Sequence, residues 1–203
     1  MTPENFLDIE DAIKNANSLR GALFVLKNQF PEFMGYNIGY EYFVREHSFK
    51  RGDVIVQTTL PAEITDQYGP SGGQNADPVI ENIAKLSGHY TVDLTKIVNG
   101  KSSKYKNKFH LALSKAGITT MTVYAFLPPD SYGYGGITIL EEEARASLKV
   151  SAERFAEIGF FFHTMIKRHG HIMRYLGITK SEQDVLRRMA DGKTAQHAAQ
   201  EFD

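Results

Sequence analysis

The sequence predicts an α+β fold, an α/β/α sandwich in which helices cover both faces of an antiparallel sheet, with a short C-terminal helical segment. Segments with apolar residues at helical spacing lie before, between and after segments with the alternating pattern of β-strands. Helices distributed around paired strands favour an antiparallel sheet that is covered on both sides. The chain has 203 residues, 42% of them hydrophobic, which is enough for one substantial core with a small appendage.

Helical spacing predicts two amphipathic helices near the N-terminus, at residues 6–13 and 19–26. Further along, FHLALSKAG predicts a helix that ends at Gly117, because glycine is favoured just past a helix end. Residues 141–176 are rich in acids at their start and in cations at their end, as the helix dipole favours. They predict one long helix, which Gly177 terminates.

Four segments have the β pattern: YNIGYEYFVR, VIVQTTL, ITTMTVYAFL and GGITIL. In the first of them Ile38, Tyr40, Tyr42 and Val44 share one face. A polar turn that ends at residues 51–53 joins the first two segments, and PPDSYGYG joins the last two. Between these pairs the sequence predicts a short helix, a Gly-rich loop and a helix that begins at Asp77.

Composition limits the partners of the chain. The 23 Lys and Arg residues against 24 Asp and Glu residues give a net charge of -1, so no overall basic field attracts nucleic acid. The absence of Cys excludes disulfides, thiolate zinc sites and Cys nucleophiles, and it fits a reducing cytoplasm. No apolar run reaches the roughly 20 residues that a bilayer requires. We therefore expect a cytoplasmic protein without a membrane partner.

No motif in the sequence predicts an enzyme, a catalytic residue or a metal site. GKSS at 100–103 and GKT at 192–194 lack the first glycine of a phosphate loop, since Thr95 and Arg187 stand at that position. No G-x-S-x-G elbow is present. Three histidines lie on or near one predicted helix, but the nearest pair is two residues apart and points in different directions; they are His163, His169 and His171.

Asp77 has two interpretations. With Pro78 after it, the residue is a favourable helix N-cap, since its side chain can accept from an orphan amide and proline fits the first helical position. Alternatively, its carboxylate points into a pocket and accepts a hydrogen bond from a ligand amide. The two oxygens of the carboxylate allow both roles at once.

The C-terminal stretch reads as two short helices joined by a tight turn. Thr179 and Glu182 form a T-x-x-E capping box, an apolar stripe follows, and Gly192 ends the helix before Thr194 caps the next. A helix-turn-helix and a plain pair of antiparallel helices fit this pattern equally well.

The residues from Ile178 onward, ITKSEQDVLRRMADGKTAQHAAQEF, resemble the opening of the LuxR-type helix-turn-helix, with its T-x-x-E start, V-L pair and GKT turn. Upstream, LPAEITDQYGPSGGQNADPV is similar to the Y-P-x-x-W-x-x-x-Y segment and following D-P of the family's autoinducer-binding domain. Pro61, Tyr68, Asp77 and Pro78 match it. The stretch from FHLALSKAG to GGITIL resembles the family's A-x-x-x-G helix end and its closing G-A-L-S-L strand.

The resemblance implies a PAS/GAF-like autoinducer-binding and dimerisation domain at residues 1–176, followed at residues 177–203 by an incomplete helix-turn-helix. It implies a small-molecule signal like an N-acyl homoserine lactone, no other cofactor, and coupling of the signal to dimerisation and transcription. The partner is a second copy, through the apolar FAEIGFFFHTMI of the long helix, or a full-length regulator. DNA would be bound only through a complete helix-turn-helix, which these residues do not contain.

The resemblance also implies a ligand site, in which Asp77 is the acceptor, Tyr68 is an aromatic wall and hydroxyl donor, and Thr138 lies at the acyl amide end. The sequence departs from the family at two tryptophans, since Ile64 replaces the first and Thr91 of Y-T-V-D-L the second. Tyr40 and Tyr42 are candidates to replace the lost contacts. The full implied set is Asp77, Tyr68, Thr138, Tyr40, Tyr42, Ile64, Val79 and Thr91.

Two other functions stay open at this point. A naturally shortened member of such a family would pair with a full-length regulator and inhibit it. An enzyme using the same pocket would need a nucleophile and base, and the sequence shows no such pair.

Overall fold

The structure is a computed structural model, and it describes residues 3–44, 54–68, 77–79, 88–100, 105–126, 133–142 and 151–190. The helices in these ranges are α1 (Pro3–Asn15), α2 (Leu19–Gln29), α3 (Ala62–Thr65), α4 (Leu94–Asn99), α5 (Lys108–Lys115), α6 (Ala152–Arg168), α7 (His171–Tyr175) and α8 (Lys180–Ala190). The strands are β1 (Asn37–Val44), β2 (Val54–Thr58), β3 (His89–Asp93), β4 (Ile118–Phe126) and β5 (Gly133–Glu142).

The five strands form one antiparallel sheet in the order β2-β1-β5-β4-β3. The central pair is β1 with β5, in which Gly39 lies opposite Thr138 and Tyr40 opposite Ile137. Since successive side chains of a strand point to opposite faces, this register assigns every central side chain to one face or the other. The predicted α+β class, with an antiparallel sheet, is confirmed.

Helices cover both faces of the sheet, and each face has its own hydrophobic core. Buried residues of α1, α2, α6 and α7 pack on one face, together with Ile38, Tyr40 and Tyr42 of β1, so the shared face predicted for these three residues is confirmed. Buried residues of α4 and α5 pack on the other face, with Met121 and Val123 of β4. We call these the first and second faces.

Local side-chain caps explain where several helices begin. The side chains of Ser18, Asn107 and Ser151 accept hydrogen bonds from backbone amides in the first turns of α2, α5 and α6. Such caps satisfy amides that have no partner inside the helix. After α5 the chain turns at Gly117, whose φ of 84° is in the left-handed region that glycine tolerates best, as predicted for that helix end.

The prediction of one helix over residues 141–176 is wrong. Glu141 and Glu142 belong to β5, where they pair with Thr120 and Ile118, so the strand ladder extends into the acidic run. Helix α6 begins only after Ser151. Gly170, with a φ of 72°, then separates it from α7, and a non-glycine residue there would be strained.

Strand β3 was not predicted, because HYTVD is a short edge strand with polar residues at several positions.

Other predicted features fall outside the described residues: the turns at 51–53 and 128–132, the Gly-rich loop after Tyr68, the helix beyond Val79, and the second helix of the C-terminal stretch. Within the described part of the chain, the helices are too short or too polar to span a membrane.

The first helix of the C-terminal stretch has the predicted capping box. The Thr179 amide and hydroxyl donate to Oε2 of Glu182 at 2.7 and 2.6 Å, and the Glu182 amide donates back to Oγ1 of Thr179 at 3.3 Å. These reciprocal bonds fix the start of α8. Leu186 of the predicted apolar stripe is 47% exposed.

Candidate functional site

A small cavity lies on the second face of the sheet, over its centre. Its volume is about 20 Å³, which is room for about one water-sized group. It is lined by Gly39 and Glu41 of β1, Val56 and Thr58 of β2, Met121 of β4, Thr138 and Leu140 of β5, Phe109 of α5, and Tyr68, Asp77 and Val79. The lining is mostly apolar but contains two carboxyl side chains, Glu41 and Asp77.

Asp77 acts as a cap and also lines the cavity. Its Oδ1 accepts from the Val79 amide at 2.8 Å, as expected of an N-cap residue before a helical turn. Its Oδ2 accepts from the Tyr68 hydroxyl at 2.9 Å. The two oxygens therefore have different partners: Oδ1 caps a backbone amide and Oδ2 holds the Tyr68 hydroxyl.

Tyr68 connects Asp77 to the aromatic wall of the cavity. Its ring packs edge-on against Phe109, with 5.0 Å between ring centroids. Burial raises the pKa of the Tyr68 phenol, and the charge of Asp77 and the hydrogen bond to it raise that pKa further. The hydroxyl therefore stays protonated at physiological pH and donates to Asp77.

Glu41 is a cavity residue that the sequence interpretation missed. Its side chain is 7% exposed, and Oε2 has no hydrogen-bond partner among the described residues. Burial raises the pKa of the Glu41 carboxyl to about 8; the neighbouring Thr138 hydroxyl opposes this shift, and the charge of Asp77 adds to it. At pH 7 the carboxyl is therefore mostly protonated.

Gly39 and Thr138, which face each other across β1 and β5, make the space that holds the Glu41 carboxyl. A Cβ on Gly39 would lie 2.8 Å from Oε1 of Glu41, closer than such contacts normally come. Thr138 is 2% exposed, and its hydroxyl lies near the carboxyl although Oγ1 is not in good hydrogen-bond geometry. The absent side chain at Gly39 thus allows a carboxyl group at the centre of the sheet.

The structure brings together four of the eight residues in the implied ligand set. Asp77, Tyr68, Thr138 and Val79 all line the cavity. Ile64 is half-buried against the second core but is not part of the described lining. Ile64 therefore packs on the same face of the sheet as the cavity but does not line the cavity.

Tyr40 and Tyr42, suggested as replacements for the tryptophan contacts, do not line this cavity. They lie on the first face, where the Tyr40 hydroxyl is 2.8 Å from Nδ1 of His163 and the Tyr42 ring is 4.6 Å from the His163 ring. The reason is the period of the strand, since the residue between them, Glu41, is the one that faces the cavity.

Thr91 also lies away from the cavity. It is exposed on the edge strand β3, and its hydroxyl is 3.1 Å from that of Thr122, its partner on β4. Thr122 alternates with Met121 and Val123 of the second core, so the pair is on the first face.

The three histidines of the C-terminal half have separate environments. His163 contacts Tyr40, Nε2 of His169 is 3.1 Å from Glu10, and Nε2 of His171 is 2.7 Å from the Ile13 carbonyl. Burial lowers the pKa of His171, so it is neutral at pH 7 and its Nε2 donates to that carbonyl. Among the described residues, no group of three or more His, Asp or Glu side chains could hold a metal ion.

Comparison with known proteins finds solved structures with a similar fold but no family or curated protein with a similar sequence. No protein-family model and no curated protein matches the chain. Among solved structures, SdiA of Escherichia coli matches with a TM-score of 0.60 and 16% identity, over 97% of this chain and 82% of that one. The N-acylhomoserine-lactone-dependent LuxR family transcription factor CepR2 of Burkholderia cenocepacia matches with a TM-score of 0.54 and 14% identity, over 86% of this chain and 96% of that one.

Proposed function

We propose that this chain, which has the fold of LuxR-family autoinducer regulators, is the ligand-sensing part of a quorum-sensing transcription regulator. The signal is a small amphiphile related to an N-acyl homoserine lactone, and the site is the cavity on the second face. Residues 1–176 form the sensing domain, and the helix-turn-helix unit that would bind DNA begins in residues 177–203. We do not propose a catalytic role, since CepR2, which has a similar fold, is a transcription factor.

The observation that carries this proposal is the Asp77–Tyr68 pair in the cavity wall. The family resemblance implies a ligand acceptor at Asp77 and an aromatic donor at Tyr68. The two side chains lie in the same cavity and are hydrogen-bonded to each other at 2.9 Å. A carboxylate held in this way is a strong acceptor for the N–H of an acyl amide, because charge-assisted bonds are about twice as strong as neutral ones.

The cavity of about 20 Å³ holds only part of such a ligand, so binding requires the wall to move outward. A ligand that binds the folded state alone stabilises it by mass action, by about 2.7 kcal/mol at a concentration of 100 times Kd. We propose that this stabilisation couples the signal to dimerisation and thus to transcription.

Substitution of the acceptor tests the proposal. Asp77→Asn keeps an oxygen that can cap the Val79 amide but removes the charge, so we expect its affinity for N-octanoyl-homoserine lactone, measured by titration calorimetry, to fall about tenfold. Asp93→Asn is the matched control, because Asp93 also caps a helix, by accepting from the Thr95 amide at 3.0 Å, and lies outside the cavity lining. Asp77→Asn affinity within about twofold of wild type, with the control unchanged, would refute a ligand role for Asp77.

A further inference from the structure

One oxygen of the buried Glu41 carboxyl, Oε2, has no hydrogen-bond partner within the part of the chain that the structure describes. Glu41 lies in the middle of β1, and its side chain is 7% exposed. Buried polar atoms are nearly always hydrogen-bonded, and one without a partner costs about 1–3 kcal/mol. A buried acceptor that faces a cavity needs a physical explanation. The simplest explanation is a ligand that donates a hydrogen bond to this oxygen.

The surroundings of Glu41 indicate the sign of that ligand's charge. The described residues of the cavity lining include a second acid, Asp77, and no Lys, Arg or His. The charge of Asp77 makes ionisation of Glu41 more costly, so the two carboxyl groups interact through the cavity. A positive group between them would relieve this repulsion, whereas a negative group would increase it.

The size of the cavity agrees with a compact cation. About 20 Å³ is room for one water-sized group, and a primary ammonium group is of that size. An ammonium has three N–H donors and no acceptor. Oε2 of Glu41, once that carboxyl is ionised, is an acceptor for one of those donors, and the Asp77 carboxylate lines the same cavity.

We propose that this cavity recognises acylated amines whose head group carries a second, positively charged nitrogen, and that this ammonium donates hydrogen bonds to Glu41 and Asp77. The inference rests on the proposed sensing function and specifies the ligand class of the same site. Glu41 is then the residue that determines head-group specificity, and Asp77 is its partner.

Binding of the ammonium is coupled to the release of a proton from Glu41. Burial raises the pKa of Glu41 to about 8, so before a cation binds the carboxyl carries a proton at pH 7. A bound ammonium favours the ionised carboxyl, so binding expels that proton, and affinity rises with pH until Glu41 is ionised without ligand. The other titratable groups of the described lining are Asp77, which accepts hydrogen bonds from the Tyr68 hydroxyl and the Val79 amide, and Tyr68, whose raised pKa keeps it neutral.

A neutral head group predicts the opposite behaviour. A lactone or amide carbonyl would accept a hydrogen bond from the protonated Glu41 carboxyl, so its affinity would be constant at low pH and would fall as pH rises through about 8. The direction of the pH dependence therefore distinguishes the two kinds of head group.

Three probes with one acyl chain make the test. They are N-octanoyl-ethylenediamine with a cationic head group, N-octanoyl-homoserine lactone with a neutral one, and N-octanoylglycine with an anionic one. Titration calorimetry at pH 6, 7 and 8 gives each affinity, and repetition in buffers of different ionisation enthalpy gives the protons released. An alkylamine stays protonated over this range.

We expect the cationic probe to bind at least about tenfold more tightly than the lactone at pH 8, to release about one proton at pH 7, and to gain affinity about 50-fold from pH 6 to pH 8, as the ionised fraction of a carboxyl with a pKa of about 8 does. Glu41→Gln should abolish the preference and the pH dependence. Glu63→Gln, at an exposed position of α3, is the matched control and should keep both.

Lactone binding as tight as that of the cationic probe, or cationic affinity that does not rise with pH, overturns this inference and leaves the proposed function intact. If no probe binds, both fall. The wild-type pH series decides the question even if Glu41→Gln were not to fold.

Discussion

Replacing Glu41 with Gln should stabilise the protein, and increasingly so as the pH rises. The pKa of Glu41 goes from 4.5 to about 8 on burial, so between these values the unfolded chain ionises while the folded protein keeps the proton. The folded state thus loses stability as pH rises through this window, and loses no more above pH 8. From the two pKa values, wild type loses about 2–3 kcal/mol between pH 5 and pH 7 on account of this one group.

Gln is close to the protonated Glu in shape and carries no titrating group, so the variant is free of this loss. Urea unfolding at pH 5, 6, 7 and 8 measures the difference in unfolding free energy between Glu41→Gln and wild type. We expect the difference to grow in favour of the variant by about 2–3 kcal/mol from pH 5 to pH 7. A difference that stays constant with pH would show that Glu41 is not a buried, protonated carboxyl, and the reasoning on the cavity would then be refuted.

Other parts of the structure give three further predictions. Gly159→Ala should lower the free energy of unfolding in urea by about 1–3 kcal/mol, because its Cβ would lie 2.6 Å from the Phe126 ring. The control Gly21→Ala meets nothing closer than 3.4 Å and should not destabilise the protein. Equal stabilities of the two variants would contradict the packing of α6 on the sheet. Thr179→Ala should reduce the helicity measured by circular dichroism and lower the free energy of unfolding by about 1 kcal/mol, because it removes the capping hydroxyl. Unchanged helicity and stability would show that the capping box does not stabilise α8. Phe160, which is 38% exposed on α6, should lie in the proposed dimer contact, so Phe160→Ser should weaken self-association in sedimentation; an unchanged association constant would locate the dimer contact elsewhere.

The sequence was sufficient for the fold class and for several helix ends. Strand alternation and helical spacing are local properties, and caps such as Ser18 and Thr179 depend on side chains within a few residues. The long-helix prediction failed for a non-local reason. Residues 141–142 belong to a strand because they pair with β4. The charge pattern at helix ends, on which the prediction was based, carries no information about this pairing.

The candidate site was predicted only in part, and the cause is the sheet itself. Alternation showed that Tyr40 and Tyr42 share a face, but both faces of this sheet are covered, so the pattern does not tell which face has the cavity. An acid between apolar residues in a strand usually faces water, so the pattern around Glu41 predicts an exposed side chain. The usable signal was the combination of Gly39 and Glu41 on one face of a central strand, where a missing side chain leaves space for a buried carboxyl.

We infer that this chain encloses a small acylated signal between Asp77 and Glu41. Mass spectrometry of small molecules released by denaturing the purified protein tests this most directly, with Asp77→Asn purified in parallel from the same host. The account predicts an acylated amine, close to one molecule for each wild-type chain, and much less of it from the variant. Wild-type protein that releases no acylated molecule, and that none of the octanoyl probes stabilises against heat, would contradict it.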